Sequence, residues 1–282
     1  MRAETRAGQS MSITLIVCLA AAGTVGYALQ QSGWTRATQT GLGLSLLFAL
    51  LVWWMRAGTL AAAFTGALLM AAMDCATVAQ PDGSWWDSAI PPLLVLLTLT
   101  LLATRFRRRN KERSGLAESR KGRSAAQVCA NLGMAALAAL MAVGMHSPNA
   151  RRMALLAMTA AFVEATADTL SSEIGQALPG RTILLTTGEM VPAGTDGGVS
   201  IAGTLAGLSG SLLVALVCRG TLHLSLYGML AAWLAGLAGL FFDSLLGATL
   251  ERRGWVGNNS VNFLSTAFAA GLAAVVAGLW TK

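Results

Sequence analysis

Charged residues are scarce in this sequence. Asp, Glu, Lys and Arg make up only 12% of the 282 residues, whereas 55% are hydrophobic, and the mean hydropathy is +0.60. A soluble domain of this size carries about 25% charged residues, so the composition excludes an ordinary soluble protein. Apolar runs of about 20 residues recur along the whole chain, as in transmembrane helices. The sequence therefore predicts an all-α fold, a polytopic transmembrane helical bundle.

Histidine and cysteine are also rare. Both histidines, His146 and His223, fall in segments predicted on the outer side of the membrane, which excludes Ser-His and Cys-His catalysis at the inner face. The four cysteines stand singly within predicted spans and form no C-x-x-C pair. The sequence therefore supports neither a zinc site nor a disulfide framework.

About nine spans are predicted, with the N-terminus inside and the C-terminus outside. They cover residues 11–30, 39–55, 58–78, 88–104, 126–146, 150–170, 197–218, 223–248 and 260–280. The inner side then holds 15 of the 20 Lys and Arg residues, nine of them between Arg105 and Arg123, in agreement with the positive-inside rule. We expect one integral membrane domain in two parts: a four-span segment at residues 1–104 and a five-span segment at residues 105–282, which carries nearly all polar motifs.

The first polar motif is the basic stretch at residues 104–131. Its charge could bind anionic lipid head groups or the phosphates of a nucleotide, or it could only fix the topology of the chain. Gln127 and Asn131 are four residues apart, so they lie on one face at the start of span five. We expect both amides to contact phosphate or nucleotide. The basic residues expected to neutralise phosphate are Lys111, Arg120 and Arg123.

A second motif, EATADTLSSEIG at residues 164–175, carries acids into a predicted span. Glu164 and Asp168 are four residues apart and share one helix face. An ionised carboxylate at the centre of a span costs about 2.5–3.5 kcal/mol on insertion scales and usually faces a polar cavity. With Glu173 these acids predict a magnesium site, because Mg²⁺ prefers oxygen ligands. Alternatively, the helix end leaves the membrane here and the acids are simply solvated.

Residues 189–200, EMVPAGTDGGVS, place acids, a proline and glycines directly before an apolar run. The glycines permit close backbone approach, and the following helix would present free N–H groups and the positive end of its dipole. We interpret the stretch as a phosphate-binding loop, with Asp196 as a metal ligand or a helix cap. A plain glycine turn with a cap is the alternative. The residues expected to bind phosphate are Gly194, Thr195, Gly197 and Gly198.

The last motif occupies residues 241–267. Asp243 lies within a predicted span and is expected to bind the metal ion. Asn258 and Asn262 precede span nine and are expected to contact phosphate or nucleotide, although hydrogen bonding between helices would also explain them. All four motifs are predicted at the inner face, so a single inner-face site is the most economical interpretation.

These motifs resemble a known family. The ordered set G-x-x-E, R-x-x-x-Q-V-x-A-N, A-D-T-x-x-S-E-I-G, V-P-A-G-T-D-G-G-V-S, D-S-L-L-G-A and N-x-x-V-N, between Gly115 and Asn262, is similar to the "domain of unknown function 92" family of integral membrane proteins. Its relatives include transmembrane protein 19 and a plant phytyl-phosphate kinase. The resemblance covers about residues 90–280, whereas the first three spans match only in hydrophobicity.

The resemblance implies an isoprenyl-phosphate kinase, which transfers phosphate from a nucleoside triphosphate, CTP or ATP, to a prenyl monophosphate. Asp168, Glu173, Asp196 and Asp243 would then hold Mg²⁺, and Asp168, Glu173, Lys111 and Arg123 would act in catalysis. Expected partners are the bilayer, the lipid phosphate and the nucleotide, with no nucleic acid, and the site is expected on the cytoplasmic face. The alternatives are a CTP-dependent lipid-phosphate cytidylyltransferase and a transporter or lipid flippase that uses the same acids.

Overall fold

The computed structural model describes residues 2–77, 84–145, 147–178 and 180–279, and within them it is a bundle of helices, as predicted. The helices are α1 (Arg2–Ser32), α2 (Arg36–Trp54), α3 (Leu60–Thr77), α4 (Ile90–Arg105), α5 (Arg108–Arg113), α6 (Ala125–Gly144), α7 (Pro148–Ala177), α8 (Ile201–Thr221), α9 (Leu226–Leu246) and α10 (Asn258–Leu279). A 3₁₀ turn (Trp85–Asp87) precedes α4, and a π-helical segment (Gly247–Glu251) follows α9.

Eight helices in the described residues are long and apolar enough to cross a membrane, and α4 is a shorter apolar helix of 16 residues. Together they correspond to the nine predicted spans. At 1.5 Å per residue α4 is about 24 Å long, which is less than the hydrocarbon thickness of about 30 Å. Pro91 and Pro92 lie in its first turn, where a missing N–H costs no helical hydrogen bond.

Contacts between α1 and α10 identify which helix ends lie together. The side-chain amide of Asn259 donates to the Ser10 hydroxyl at 3.0 Å, and the Ser260 hydroxyl donates to Gln9 at 3.3 Å. Because successive spans alternate in direction, the N-termini of α6, α8 and α10 and the C-termini of α7 and α9 share this end of the bundle. We call it the cavity end. Its placement on the cytoplasmic side stays a prediction.

The longest interior helix is α7, which packs against α4, α6, α8, α9 and α10. Its contact with α8 is unusually close, because Gly203 and Gly207 on α8 have no side chain. A Cβ atom on Gly203 would stand 2.3 Å from the carbonyl oxygen of Ser171, and one on Gly207 would stand 2.7 Å from that of Ala167. Small residues four apart are the usual means by which membrane helices bring their backbones into contact.

Two predicted boundaries at the cavity end are wrong. Helix α7 continues to Ala177 rather than ending near residue 170, so the acidic motif is helical throughout and its acids are not at a solvated helix end. Helix α8 starts at Ile201 rather than residue 197. The residues before it form an antiparallel sheet, unpredicted from the sequence, with order β2-β1-β3. Its strands are β1 (Thr182–Leu184), β2 (Met190–Val191) and β3 (Gly198–Ser200).

The close α7–α8 contact gives a first prediction. Gly203→Val should lower the free energy of unfolding by about 1–3 kcal/mol, because the added side chain overpacks the helix pair. The matched control is Gly271→Val on α10, where a Cβ atom meets nothing within 4 Å. Thermal unfolding in detergent measures both variants. Equal midpoints for the two would contradict the packing described.

Candidate functional site

A polar cavity of about 280 Å³ lies at the cavity end. It is bounded by α6, α7, α9 and α10, by the β2–β3 loop and by the basic segment that precedes α6. Most residues singled out in the sequence line it: Arg123, Gln127, Asn131, Asp168, Glu173, Gly194, Thr195, Asp196, Gly197, Gly198, Asp243, Asn258 and Asn262. Motifs that are far apart in the chain therefore meet at one site.

Carboxylates dominate one wall of this cavity. Asp168 on α7 and Asp243 on α9 interact electrostatically with each other, and Glu251 from the π-helical segment interacts with Asp168 and Asp196. Glu164, one turn before Asp168, is 1% exposed, and neither of its carboxylate oxygens has a hydrogen-bond partner among the described residues. The Ser265 hydroxyl donates to Asp243 at 3.2 Å. Asp168, Asp243 and Glu251 thus line the cavity together, whereas Glu164 is not part of its lining.

A single basic side chain, Arg123, lines the cavity within the described residues. Its guanidinium interacts electrostatically with Asp168 and donates a hydrogen bond to the Thr169 hydroxyl at 3.4 Å. Its backbone is fixed to the α2–α3 turn, because its N–H donates to the Ala57 carbonyl at 2.9 Å and its carbonyl accepts from Thr59 at 2.9 Å. The preceding Gly122 has φ +77° and lies against the Ala57 backbone, where a Cβ atom would approach to 2.5 Å.

A chain of amides forms the wall opposite the acids. Gln127 and Ser124 form a capping box at the start of α6, and the Gln127 side chain donates onward to Glu118 at 3.3 Å. Asn131 donates to the Gln127 carbonyl at 2.8 Å and accepts from Asn262 on α10 at 3.0 Å. The predicted alternative of helix–helix hydrogen bonding is therefore correct for Asn262, although it and its partner Asn131 also line the cavity.

The β2–β3 loop closes the cavity from the side of the sheet. Gly197 has φ +75°, and a Cβ atom there would stand 2.3 Å from the backbone nitrogen of Ala248, so the loop lies directly on the end of α9. Gly194 lies against the Leu116 side chain of the basic segment. The helix cap is Ser200, whose hydroxyl accepts from the Gly203 N–H. Asp196 is therefore not the cap of α8, and it remains an exposed acid at the cavity.

Two predicted phosphate ligands lie outside the cavity lining. Lys111 on α5 is fully buried, and its ammonium group donates to Glu173 and to the carbonyls of Ala103 and Thr104, both at 3.0 Å. All three of its donors are thus used within the protein. Arg120 is exposed and pairs with Glu112 at 3.2 Å, while hydrogen bonding from Arg108 lowers the pKa of Glu112. The placement of both cations disagrees with the expected role in neutralising phosphate.

Glu173 lines the cavity, but its carboxylate is engaged elsewhere. One oxygen accepts from Lys111, and the other accepts from the Thr104 hydroxyl at 3.0 Å. This arrangement ties α4 and the basic segment to α7 and argues against Glu173 as a free metal ligand. Within the described residues no group of three or more acidic, histidine or cysteine side chains is arranged to hold a metal ion by itself.

The remaining acids still fit Mg²⁺, which proteins usually hold through one or two carboxylates, with substrate phosphates and water completing the shell. Asp168 and Asp243 supply hard oxygen ligands from two adjacent helices, in a cavity where acidic side chains outnumber basic ones among the described residues. Asp196 and Glu251 line the same cavity. Glu173 is therefore removed from the predicted metal ligands, because the buried Lys111 engages it. Asp168, Asp196 and Asp243 remain.

Sequence reasoning missed several lining residues, among them Glu251, Ser171, Ser200 and Ser244. Glu251 follows Asp243 by eight positions, which in a regular α-helix would place it about 80° around the axis from Asp243. The π-helical turn, marked by the Arg252 N–H donating to the Gly247 carbonyl at 3.2 Å, changes this register. Such π-segments often occur at functional sites, but none can be recognised from sequence hydropathy.

The fold and this cavity define a polytopic membrane protein with an acidic, polar site at one end of its helix bundle. The chain belongs to the family described as integral membrane protein DUF92, whose family model matches residues 43–270. The resemblance inferred from the motifs is thereby confirmed.

Curated relatives are bacterial, archaeal and plant proteins. The uncharacterized membrane protein sll0875 of Synechocystis sp. is 32% identical over 171 residues, 60% of this chain and 66% of that protein. The uncharacterized membrane protein MJ0933 of Methanocaldococcus jannaschii is 40% identical over 116 residues, which are 40% of this chain and 47% of that protein. Protein VTE6, chloroplastic, of Arabidopsis thaliana is 34% identical over 185 residues, which are 58% of this chain and 50% of that protein. The chain thus spans between 47% and 66% of these relatives' own lengths. No solved structure matches it.

The buried Lys111–Glu173 pair gives a second prediction. Lys111→Met should lower the free energy of unfolding by about 3–5 kcal/mol, because it leaves the Glu173 carboxylate without its cation. In the double variant with Lys111→Met, Glu173→Gln should restore at least half of the lost free energy of unfolding. The control is Arg120→Met, which breaks an exposed pair worth about 0–1 kcal/mol. If Lys111→Met and Arg120→Met unfold at the same temperature in detergent, the structural assignment of Lys111 is incorrect.

Proposed function

We propose that the protein is a membrane-embedded isoprenyl-phosphate kinase, which transfers the terminal phosphoryl group of a nucleoside triphosphate to a prenyl monophosphate and forms the diphosphate. The observation that carries this proposal is the joint lining of one cavity by the carboxylates Asp168 and Asp243, the cation Arg123 and the glycine loop. Family membership supports it, and so does the motif resemblance, which extends to a plant phytyl-phosphate kinase.

The chemistry suits a site without histidine. A phosphate monoester has a second pKa of about 6, so its oxygen is already a nucleophile at neutral pH and requires no general base. One of these oxygens would attack the γ-phosphorus of the nucleotide. The bond from that phosphorus to the β–γ bridging oxygen then breaks, and the nucleoside diphosphate leaves with the electron pair. Catalysis of such a transfer consists mainly of positioning and charge neutralisation.

Each wall of the cavity has a part in this scheme. Arg123 would neutralise charge on the transferred phosphoryl group, since its guanidinium carries several N–H donors for phosphate oxygens. The N-terminal ends of α6, α8 and α10 converge on the cavity end and favour an anion there. Mg²⁺ held by Asp168 and Asp243 would neutralise the phosphates of the donor and bring the two substrates together. Asn258 and Gln127 supply further polar contacts.

The activity prediction uses purified protein, phytyl or geranylgeranyl monophosphate, Mg²⁺ and radiolabelled CTP or ATP. Prenyl diphosphate and nucleoside diphosphate should form, and Asp168→Asn should lower kcat at least 100-fold, because it removes a charge on which phosphate positioning depends. The control is Asp87→Asn, an exposed acid outside the cavity that pairs with His223. CDP-lipid and pyrophosphate as products would instead identify a cytidylyltransferase. Absence of any product, or full activity of Asp168→Asn, would reject the kinase proposal.

The metal prediction concerns the concentration of Mg²⁺ that gives half-maximal rate. Asp243→Asn should raise this concentration about tenfold or more, because the ion loses one of its two carboxylate ligands. Glu173→Gln should change it less than twofold, since the structure gives that carboxylate to Lys111 and Thr104. Titration of activity with Mg²⁺ after removal of metal by EDTA measures both. A larger shift for Glu173→Gln than for Asp243→Asn would reverse the ligand assignment.

A further inference from the structure

A second, apolar groove lies beside the polar cavity. It has a volume of about 110 Å³ and runs between α2, α3, α4, α6 and α7. Phe48 and Val52 on α2, Gly66 on α3, and Leu93, Leu96 and Leu97 on α4 line its deeper part. These residues belong to the N-terminal four-span segment, to which the polar motifs assign no function.

The groove and the polar cavity adjoin each other. Four residues line both of them, namely Glu118, Arg123, Asn131 and Thr169. Arg123 therefore stands at the junction, with acids and amides on one side and aliphatic side chains on the other. A ligand that fills both spaces must have an anionic head next to an apolar chain.

Small residues on α3 keep the groove free. Ala62 and Gly66 are four residues apart on one face of α3, Gly58 precedes the helix, and all three line the groove. A Cβ atom on Gly66 would stand 3.2 Å from the ring of Phe48, which is closer than ordinary van der Waals contact. Any larger side chain at this position would enter the space of the groove.

The groove lies close to the bilayer. Helix α2 packs on α3, and α4 packs on α7 and α8, but α2 and α4 have few direct contacts in the described residues. A chain could therefore leave the groove between these two helices. The volume accommodates only a short stretch of hydrocarbon, so the remainder of a long chain would lie among lipid tails. Arg56 and Arg105 line the groove where α2 and α4 end.

We propose that this groove binds the first part of the hydrocarbon chain of the lipid monophosphate, with the phosphate at Arg123 and the metal-binding acids. This proposal rests on the kinase function proposed above and adds the path of the substrate chain. The nucleotide is excluded from the groove by its chemistry, because the deeper wall has no polar partners for a ribose or phosphates. The N-terminal segment then determines which chains are accepted.

Photo-crosslinking tests the location directly and requires no turnover. The probe is a prenyl monophosphate with a diazirine on its first isoprene unit, added to the full chain in lipid nanodiscs and irradiated. Peptide mapping should place the label within residues 48–66 and 93–100. The matched prenyl alcohol probe, without phosphate, should label these peptides at least fivefold less. Labels confined to α8–α10, or equal labelling by the alcohol, would overturn the proposal.

Substitution at Gly66 tests the same groove by kinetics. Gly66→Leu should reduce labelling at least tenfold and raise KM for a geranylgeranyl monophosphate at least tenfold. Its kcat/KM for methyl phosphate, a short substrate without an isoprene chain, should fall less than threefold. Gly43→Leu on α2, where a Cβ atom meets nothing within 4 Å, is the matched control and should behave as wild type. Gly66→Ala gives a milder variant in case leucine prevents folding, with a smaller shift in the same direction.

The two proposals fail in different ways. Labelling of the groove without any prenyl diphosphate product would reject the kinase function but retain the lipid groove. Product formation with an unlabelled groove, or with equal losses for the long and short substrates in both Gly66 variants, would reject the groove and retain the kinase.

Discussion

A carboxylate buried among transmembrane helices requires a counter-charge or hydrogen-bond donors, and this constraint shapes the cavity end of the bundle. Helix α7 carries three such acids within ten residues, and their surroundings differ. Glu173 is neutralised by the buried Lys111, Asp168 faces Arg123, and Glu164 has no hydrogen-bond partner among the described residues. The protein thus compensates one acid internally. Asp168, unlike Glu164, lines the cavity, where a bound cation would balance its charge.

Close backbone contacts bring the remaining groups to these acids. Gly203 lets α8 lie directly on α7, Gly197 lets the β2–β3 loop lie on the end of α9, and Gly122 lets the basic segment lie on the α2–α3 turn. Each contact joins segments that are distant in the chain, and each has no room for a side chain. The high glycine content therefore reflects packing at the site, in addition to the general preference of membrane helices for small residues.

The spans, the single-cavity arrangement and most lining residues could be predicted from the sequence, because hydropathy reports burial in lipid and polar residues in spans are costly. The partners of individual charges could not. Lys111 is one of nine basic residues in its segment, and only the fold shows that it turns inward to Glu173. Likewise, Glu251 reaches the cavity through a π-helical turn, and the three-stranded sheet depends on contacts between short segments without strong local propensity.

In the proposed function, the junction at Arg123 lies between the two environments that a lipid phosphate requires. The phosphate must remain near water, metal ligands and nucleotide, while its chain must remain in an apolar medium. A groove that holds the first part of the chain limits rotation of the phosphate about its ester bond, so one oxygen is directed toward the donor. Restricting the reactants in this way supplies much of the rate in a transfer that needs little acid–base chemistry. The four-span segment would therefore contribute to the rate as well as to the choice of substrate, although it carries none of the acids of the site.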